Sequence, residues 1–403
     1  MARVHICIVS DHLEANLIPV LQLKPSEVIL VASQAMKKKA DTLQTVISDA
    51  LPDTHVQVHV GLPEANISEI EDFGLDLEEK LSAEFGSETL VYNATGGSKL
   101  HALIFSQIFD ASDIIYAHTQ TNTLMNLSMS NKRAAASDIL PVLTASIYLQ
   151  CNGKRLRSHR SSSEEWTNLA MERKAVTLLL GKPKHESVQW MIGDFNWMIR
   201  RNGVLDNQGR QVGTVFDAHK AIQRLKKKPV RDTLALIDKL CDTGLLARGD
   251  DDRTIVFQNA DSAEYLSGGW IEEYAYLIGM KLGVQEVLSS AQITDEANRK
   301  LDVRNEIDCL MVHNNRMLLI ECKTAYYSEN ESEQEMLTKL DSLGSRSGGL
   351  FGTNVLLSFR DVSANMSNRA QSLGIKVLDS ANLKDFEPCV KHWMETGVFR
   401  LPE

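Results

Sequence analysis

Through roughly the first 150 residues, short β-branched runs alternate with amphipathic helical stretches, and this alternation constrains the fold more tightly than any other feature of the chain. The predicted strands are Val4–Val9, Val28–Val31, Val56–Val60, Thr89–Tyr92 and Ile114–Ala117, with helical patterns such as Met36–Ala50 and Ser98–Phe109 between them. Consecutive parallel strands need a crossover, and the crossover helices cover both faces of the sheet, so the pattern predicts a Rossmann-like α/β domain. Ligands of such sheets sit at the loops after the carboxyl ends of the strands.

With 403 residues the chain is too long for one ordinary core, and two or three domains are expected. We place an α/β domain at 1–155, a helical, winged-helix-like connector at 164–262 and a second α/β domain at 263–403. The basic, Ser-rich stretch Arg155–Ser163 reads as the linker between the first two. The connector has helical patterns at Glu164–Leu180, Val188–Arg201, Asp217–Lys227 and Arg231–Cys241, then a polar-tipped hairpin closing with Arg253–Phe257. Its run Lys226-Lys227-Lys228 is either a phosphate contact or an ordinary solvated face. In the last domain, the helix Trp270–Leu282 precedes a hairpin at about Asn305–Thr324. A helix at Glu333–Leu343, a strand at Asn354–Phe359, a helix at Asn365–Leu373 and a strand at Lys376–Leu378 follow.

A net charge of −10 argues against a protein that coats nucleic acid, and confines any such contact to a local groove. The six cysteines form no CxxC pair, so reduced thiols in a cytoplasmic protein are expected. No apolar run approaches the ~20 residues of a membrane span, and the N-terminus enters a strand pattern without a signal-peptide core.

The chemistry concentrates in the predicted hairpin. Asn314-Asn315 tolerates the left-handed backbone of a tight turn between the strands Asn305–His313 and Met317–Lys323. A two-residue loop there sets Asp308 opposite Glu321 and Glu306 opposite Lys323. Period-two alternation then puts Asp308, Glu321 and Lys323 on one face. Two facing carboxylates repel unless neutralised, and a hard divalent cation does so through oxygen ligands. A surface hairpin with an exposed ion pair is the plainer alternative, but the strand around Met317–Ile320 is strongly apolar, and charge there needs a reason.

Asp308, a gap of twelve residues, and then Glu321-Cys322-Lys323 resemble the PD-(D/E)xK nuclease signature. Gly269-Trp270-Ile271-Glu272 is similar to the helix that adds an acidic residue in many of these enzymes. The resemblance implies a restriction-endonuclease-like domain with Glu272, Asp308, Glu321 and Lys323 as catalytic residues. It implies Mn2+ or Mg2+ held by Glu272, Asp308, Glu321 and the carbonyl of Cys322. Glu273, next door, is the competing choice for the helix carboxylate.

Two loops mark the first domain. Ser10-Asp11-His12-Leu13-Glu14-Ala15-Asn16 follows the first strand, and Asn93-Ala94-Thr95-Gly96-Gly97-Ser98-Lys99-Leu100 follows the fourth. Paired glycines let a ligand approach the backbone, and a helix beginning at Ser98 offers free N–H groups to an anion. The spacing is neither GxxxxGK[ST] nor GxGxxG, so neither a P-loop nor a dinucleotide cofactor is indicated. Together with the hairpin, these loops resemble the CARF-domain nucleases of type III CRISPR defence. That resemblance implies a homodimer that binds a cyclic oligoadenylate, most often cyclic tetra-adenylate, as allosteric activator. Ser10, Asp11, Asn16, Thr95, Gly96, Gly97, Ser98 and Lys99 would line its site, and single-stranded DNA or RNA would be the substrate. Two other readings compete. One is a ligand-responsive winged-helix transcription regulator without nuclease activity. The other is an unregulated nuclease with a dimerising N-terminal scaffold.

Overall fold

The computed structural model describes residues 3–119, 121–127, 136–182, 186–206, 215–295, 304–324, 337–338, 340 and 352–400. The first unit runs β1 (Val4–Ile8), α1 (Leu13–Leu23), β2 (Glu27–Ala32), α2 (Lys37–Ala50), β3 (His55–Val60), α3 (Ile67–Phe85), β4 (Leu90–Asn93), α4 (Lys99–Ile108), β5 (Asp113–His118), β6 (Thr123–Asn126), β7 (Ala136–Asp138) and α5 (Ala145–Cys151). Its sheet has the order β3-β2-β1-β4-β5-β6-β7, parallel from β3 to β5 and antiparallel beyond. The strand order reverses between β1 and β4, and the crevice at such a switch point is where these sheets bind ligands. Both loops singled out in the sequence open onto that crevice.

A connector follows: β8 (Lys154–Ser158), α6 (Glu164–Glu172), α7 (Lys174–Leu180), α8 (Glu186–Arg201), the strand pair β9 (Leu205–Asp206) and β10 (Val215–Phe216), β11 (Ile222–Arg224), α9 (Arg231–Asp242), β12 (Leu246–Arg248) and β13 (Thr254–Phe257). Two expectations fail here. The Arg155–Ser163 stretch is not a linker, because its first four residues lie in β8, which pairs antiparallel with a strand of the last domain, and a 3-10 turn at Arg160–Ser162 follows. Asp217–Lys227 is not a helix. A short 3-10 turn leads into β11, whose residues Ile222–Arg224 pair with β13 to give the sheet β11-β13-β12. Cross-strand pairing there outweighs local helical preference.

The last unit comprises α10 (Ala260–Glu264), α11 (Trp270–Leu282), β14 (Glu286–Asp295), β15 (Arg304–His313), β16 (Arg316–Lys323), β17 (Gly352–Ser358), α12 (Ala364–Ser372), β18 (Lys376–Leu378) and α13 (Phe386–Thr396). The predicted helix Glu333–Leu343 falls largely outside the described residues. Six strands order as β18-β17-β16-β15-β14-β8. One face, with Cys309, Met311, Leu318 and Ile320, packs on α11 and the connector. The other face, with Leu310, Val312, Met317 and Leu319, shares a core with α1, α2 and α5 of the first unit. Among the described residues, no helix is long and apolar enough to cross a membrane.

The hairpin turn at Asn314-Asn315 has both residues at positive φ, 47° and 57°, as the Asn-Asn pair anticipates. Its register runs His313↔Arg316 back to Cys309↔Ile320, the alignment expected for a two-residue loop.

Candidate metal centre and ligand crevice

Regular pairing of β15 with β16 stops at Cys309↔Ile320, one step short of Asp308, and the interruption shapes the site. On the neighbouring strand Ser290 takes φ 50°, a left-handed conformation unusual for serine. The β14–β15 ladder omits the Ser290–Asp308 step yet resumes in the same register at Ala291↔Ile307. Side-chain facing changes across this level. Leu288 and Ala291 join one core cluster though three residues apart, and so do Ile307 and Leu310, while Val287 and Cys309 lie in the other. Simple period-two alternation therefore does not carry through Asp308. A paired kink turns it, and strained backbone of this kind gathers at functional sites.

Freed from the ladder, Asp308 accepts the Cys322 N–H through Oδ2 at 2.7 Å. Burial raises its pKa well above the ordinary carboxylate value, the charges of Glu321 and Glu272 raise it further, and Lys323 opposes them. Glu321 is buried, and its Oε1 lies 2.9 Å from Lys323 Nζ, so these two do share a face. Glu272, in the first turn of α11, accepts a hydrogen bond from Ser290 Oγ at 3.2 Å. Its pKa is pushed up to about 7 by burial, against the pull of Arg160 and helped by Glu306 and Glu321. Buried carboxylates whose pKa is raised by neighbouring carboxylates, as at Asp308 and Glu272, mark a place suited to a positive charge.

Glu273 points elsewhere. It receives Arg173 Nε at 2.7 Å and Thr177 Oγ1 at 2.7 Å, and Arg173 also holds Asp261 at 2.6 Å. With its oxygens so engaged and 1% of its surface exposed, Glu273 fastens α11 to α7, and Glu272 is the carboxylate left facing the groove. A π-type turn at Tyr265–Gly269, with Gly268 at φ 156°, sets the start of α11 at that groove.

Glu272, Asp308, Cys322 and Lys323 line an open groove of about 1070 Å3 together with Ser267, Gly268, Thr324 and Arg360. Among the described residues no three His, Cys, Asp or Glu side chains form a ready-made metal cage. The donor set nonetheless suits a hard cation, since it is all oxygen, under-compensated and open to water on one side. The sequence missed Ser290 and Arg360, whose places depend on the kink and on strands far apart in the chain.

At the other site, Ser98 caps α4 by accepting the His101 N–H at 3.2 Å, and Ser98 and Lys99 are exposed beside Gly97 at φ 83°. Gly96 is packed so closely that a Cβ would lie 2.3 Å from Asn16 Oδ1 and 2.5 Å from the Ile8 carbonyl. One expected ligand contact is corrected here. Asn16 is fully buried within α1 and donates Nδ2–H to the Ile8 carbonyl at 2.8 Å, so it shapes the loop from beneath. Thr95, half-buried, accepts the Ala117 N–H through Oγ1 at 2.9 Å, which ties the loop to β5 and leaves the hydroxyl hydrogen to donate. Asp11 is exposed and pairs with Lys39 at 2.7 Å, and Ser10 is half-buried beside it. Lys39 belongs to Lys37-Lys38-Lys39 at the start of α2, a basic run on the same sheet edge that the sequence reading passed over.

Comparison with known proteins bears on both ends of the chain. Residues 4–148 match the family model "Card1 CARF domain", and residues 259–396 match "Card1-like, endonuclease domain". No curated protein sequence matches. Among solved structures, the chain resembles Can2 from Sulfobacillus thermosulfidooxidans in complex with cyclic tetra-adenylate, at 20% identity and a TM-score of 0.73, over 97% of each chain. It also resembles the protein VC1899 from Vibrio cholerae, at 18% identity and a TM-score of 0.78, over 99% of each chain. A type III CRISPR defence DNA nuclease activated by cyclic oligoadenylate aligns at 13% identity and a TM-score of 0.51, over 90% of this chain but 46% of that one. At these identities the likeness concerns the fold, which is shared from end to end with the first two. The chain belongs to the CARF-domain endonucleases, with a Card1-type sensing domain joined to a Card1-like endonuclease domain.

Proposed function

We propose that this protein is a cyclic-oligoadenylate-activated, metal-dependent endonuclease of type III CRISPR defence that cuts single-stranded DNA, RNA or both. The observation that carries the reading is the convergence of Glu272, Asp308 and Lys323 on one solvent-open groove, with buried Glu321 paired to Lys323 behind them and its charge felt by Asp308. Glu272, Asp308, Glu321 and the Cys322 carbonyl would hold Mn2+ or Mg2+. A bound divalent ion lowers the pKa of water and polarises a phosphoryl group. The chain's own contribution is placement. The kink at Ser290 and Asp308 aims a carboxylate that a regular strand would not, and Ser290 orients Glu272. Lys323, which neutralises Glu321 at 2.9 Å, is positioned to offset charge developing on a scissile phosphate.

On the sensing side, Gly97, Ser98 and Lys99 at the start of α4, with Ser10 and the Lys37–Lys39 run, form the exposed part of the crevice. Cyclic tetra-adenylate has two-fold symmetry and four phosphates, which suits an isologous homodimer offering one such crevice from each chain. The six free cysteines fit a cytoplasmic setting. The regulator reading gains no support from α9, where a winged helix would place its reading helix. Its exposed residues include Asp232, Asp238 and Asp242 against Arg231 and Lys239, a poor match for a phosphate backbone.

The test is calorimetric titration of cyclic tetra-adenylate, run beside cleavage of labelled single strands in Mn2+. One ring per two chains, with cleavage appearing as the ring saturates, is expected. Cleavage indifferent to the ring would overturn the sensing half, and ring binding without metal-dependent cleavage would overturn the nuclease half.

A further inference from the structure

The groove that holds the carboxylates has a second wall, made by the connector. Helix α8 runs along it and is fixed to the endonuclease sheet. Gly193 lies so close to Arg360 that a Cβ there would meet Nη2 at 2.4 Å. Arg360 donates to the Thr324 carbonyl at 3.0 Å, and Asn196 Nδ2 donates to the same carbonyl at 3.3 Å. The face of α8 turned to the groove carries Trp190, Trp197, Arg200 and Arg201, a stripe at helical spacing, and Lys226 and Lys227 join it from the turn before α9. Lys226 Nζ sits 3.8 Å from the Trp197 ring centre and Lys227 Nζ 5.3 Å from that of Trp190. Asp194, 3% exposed, anchors the turn by accepting the Lys226 N–H at 2.8 Å. Trp197 keeps 41% of its surface exposed, which is unusual for so large an apolar side chain.

We infer that this face of α8, with the Lys226-Lys227 turn, is the strand-binding wall of the groove and takes single-stranded nucleic acid by stacking unpaired bases on Trp197 and Trp190. The inference rests on the nuclease reading and names the residues that would hold its substrate strand. Aromatic platforms flanked by cations bind single strands of any sequence, because every base has a π-face and every phosphate a charge. In a duplex the base faces are already stacked and unavailable. Two tryptophans seven residues apart stand about 10 Å apart along the helix. They would hold two separate bases of a splayed strand, with Arg200, Arg201 and the two lysines on its phosphates. In a protein of net charge −10, the four cations on this wall outnumber its one carboxylate, Asp194, whose Oδ1 lies 3.6 Å from Lys226 Nζ, and supply the local complementarity that the whole molecule lacks. The connector thereby gains a role in recognition, with its hairpin sheet as support.

The test uses the full chain with cyclic tetra-adenylate present, in an Asp308→Asn background to stop cleavage. Fluorescence anisotropy then follows a labelled 15-mer of deoxythymidylate, the matching RNA and a duplex of equal length. Trp197→Ala is expected to weaken both single strands roughly five-fold or more and to leave the weaker duplex binding unchanged. Trp197→Phe should recover part of the loss. Lys226→Ala with Lys227→Ala should flatten the salt dependence by about 1.4 units of log–log slope. In the cleaving protein, Trp197→Ala should act mainly by raising KM. Equal single-strand affinity for Trp197→Ala and its parent, or a parent that prefers the duplex, overturns the inference while metal-dependent cleavage by the wild type keeps the nuclease reading. Absence of that cleavage overturns the nuclease reading itself.

Discussion

The hairpin that carries Asp308 and Glu321 ends in a turn plugged into the sensing unit, and replacing Asn315 with alanine tests that joint. Asn315 Oδ1 accepts the N–H groups of Val142 at 2.8 Å and Leu143 at 2.9 Å, and Nδ2 donates to the Leu140 carbonyl at 2.7 Å. The Tyr148 hydroxyl donates to the Asn315 carbonyl, and Arg316 reaches the Thr119 carbonyl at 3.3 Å. Asn315 is 4% exposed, so alanine would strand one buried and two partly buried backbone groups and occupy a left-handed position that asparagine tolerates better. At about 2 kcal/mol for the buried group and about 1 kcal/mol for each of the others, the loss is about 4 kcal/mol. That corresponds to a fall in thermal midpoint of roughly 8–16 °C for a unit of this size. Asp308 lies about 17 Å along the strand from the tip. Movement at the sensor would reach the carboxylates through a rigid element, and the variant should lose much of its activator stimulation. Asn315→Asp retains the two acceptor contacts but sets a carboxylate oxygen against the Leu140 carbonyl, so it too should lower the midpoint. Scanning fluorimetry with cleavage assays reads both quantities. A midpoint for Asn315→Ala within a degree of wild type would refute the claim that this turn joins the two units.

Three further outcomes are expected. His5 is fully buried in β1 with neither ring nitrogen bonded, and burial, helped by Arg3, pushes its pKa down from 6.5 to about 4. The unfolded chain therefore binds the proton more readily, so stability is complete above pH 6.5 and declines toward pH 4 by up to about 3 kcal/mol. His5→Leu should flatten that decline in denaturation curves taken across this range, and an unchanged pH profile would count against it. Asp308→Asn should abolish cleavage, raise the metal-free thermal midpoint by relieving repulsion from Glu321 and Glu272, and remove the stabilisation by Mn2+ seen in wild type. A lower midpoint without metal would contradict the electrostatic account. Gly96→Ala should weaken cyclic tetra-adenylate binding at least ten-fold, since its Cβ would meet the Ile8 carbonyl at 2.5 Å and force the loop outward. Unaltered affinity would mean that the loop does not shape the crevice.

Local signals in the sequence located much of this architecture, and the misses share one physical origin. The Asn314-Asn315 pair is a short-range turn signal, and it delivered the β15–β16 register down to Cys309↔Ile320. Helix α11 matched its expected Trp270–Leu282 span because its limits are set by a Gly pair and a Gly C-cap. By contrast β8 looked like a linker because its stabilising partner, β14, lies more than a hundred residues away. The choice between Glu272 and Glu273 depended on Arg173, equally remote. Asn16 lies in α1, a helix whose surroundings bury most of its length and so mask the usual amphipathic pattern. The kink at Ser290 and Asp308 had no sequence signal, since serine and aspartate in a strand ordinarily imply nothing about backbone strain.

The most direct test of gating is cleavage of labelled single-stranded DNA and RNA in Mn2+, with and without cyclic tetra-adenylate, for wild type, Lys323→Ala and Lys99→Ala. Cleavage by wild type only with the activator, lost in Lys323→Ala and shifted to higher activator concentration in Lys99→Ala, is the predicted result. Cleavage by wild type at the same rate without activator, or undiminished cleavage by Lys323→Ala, would contradict the account.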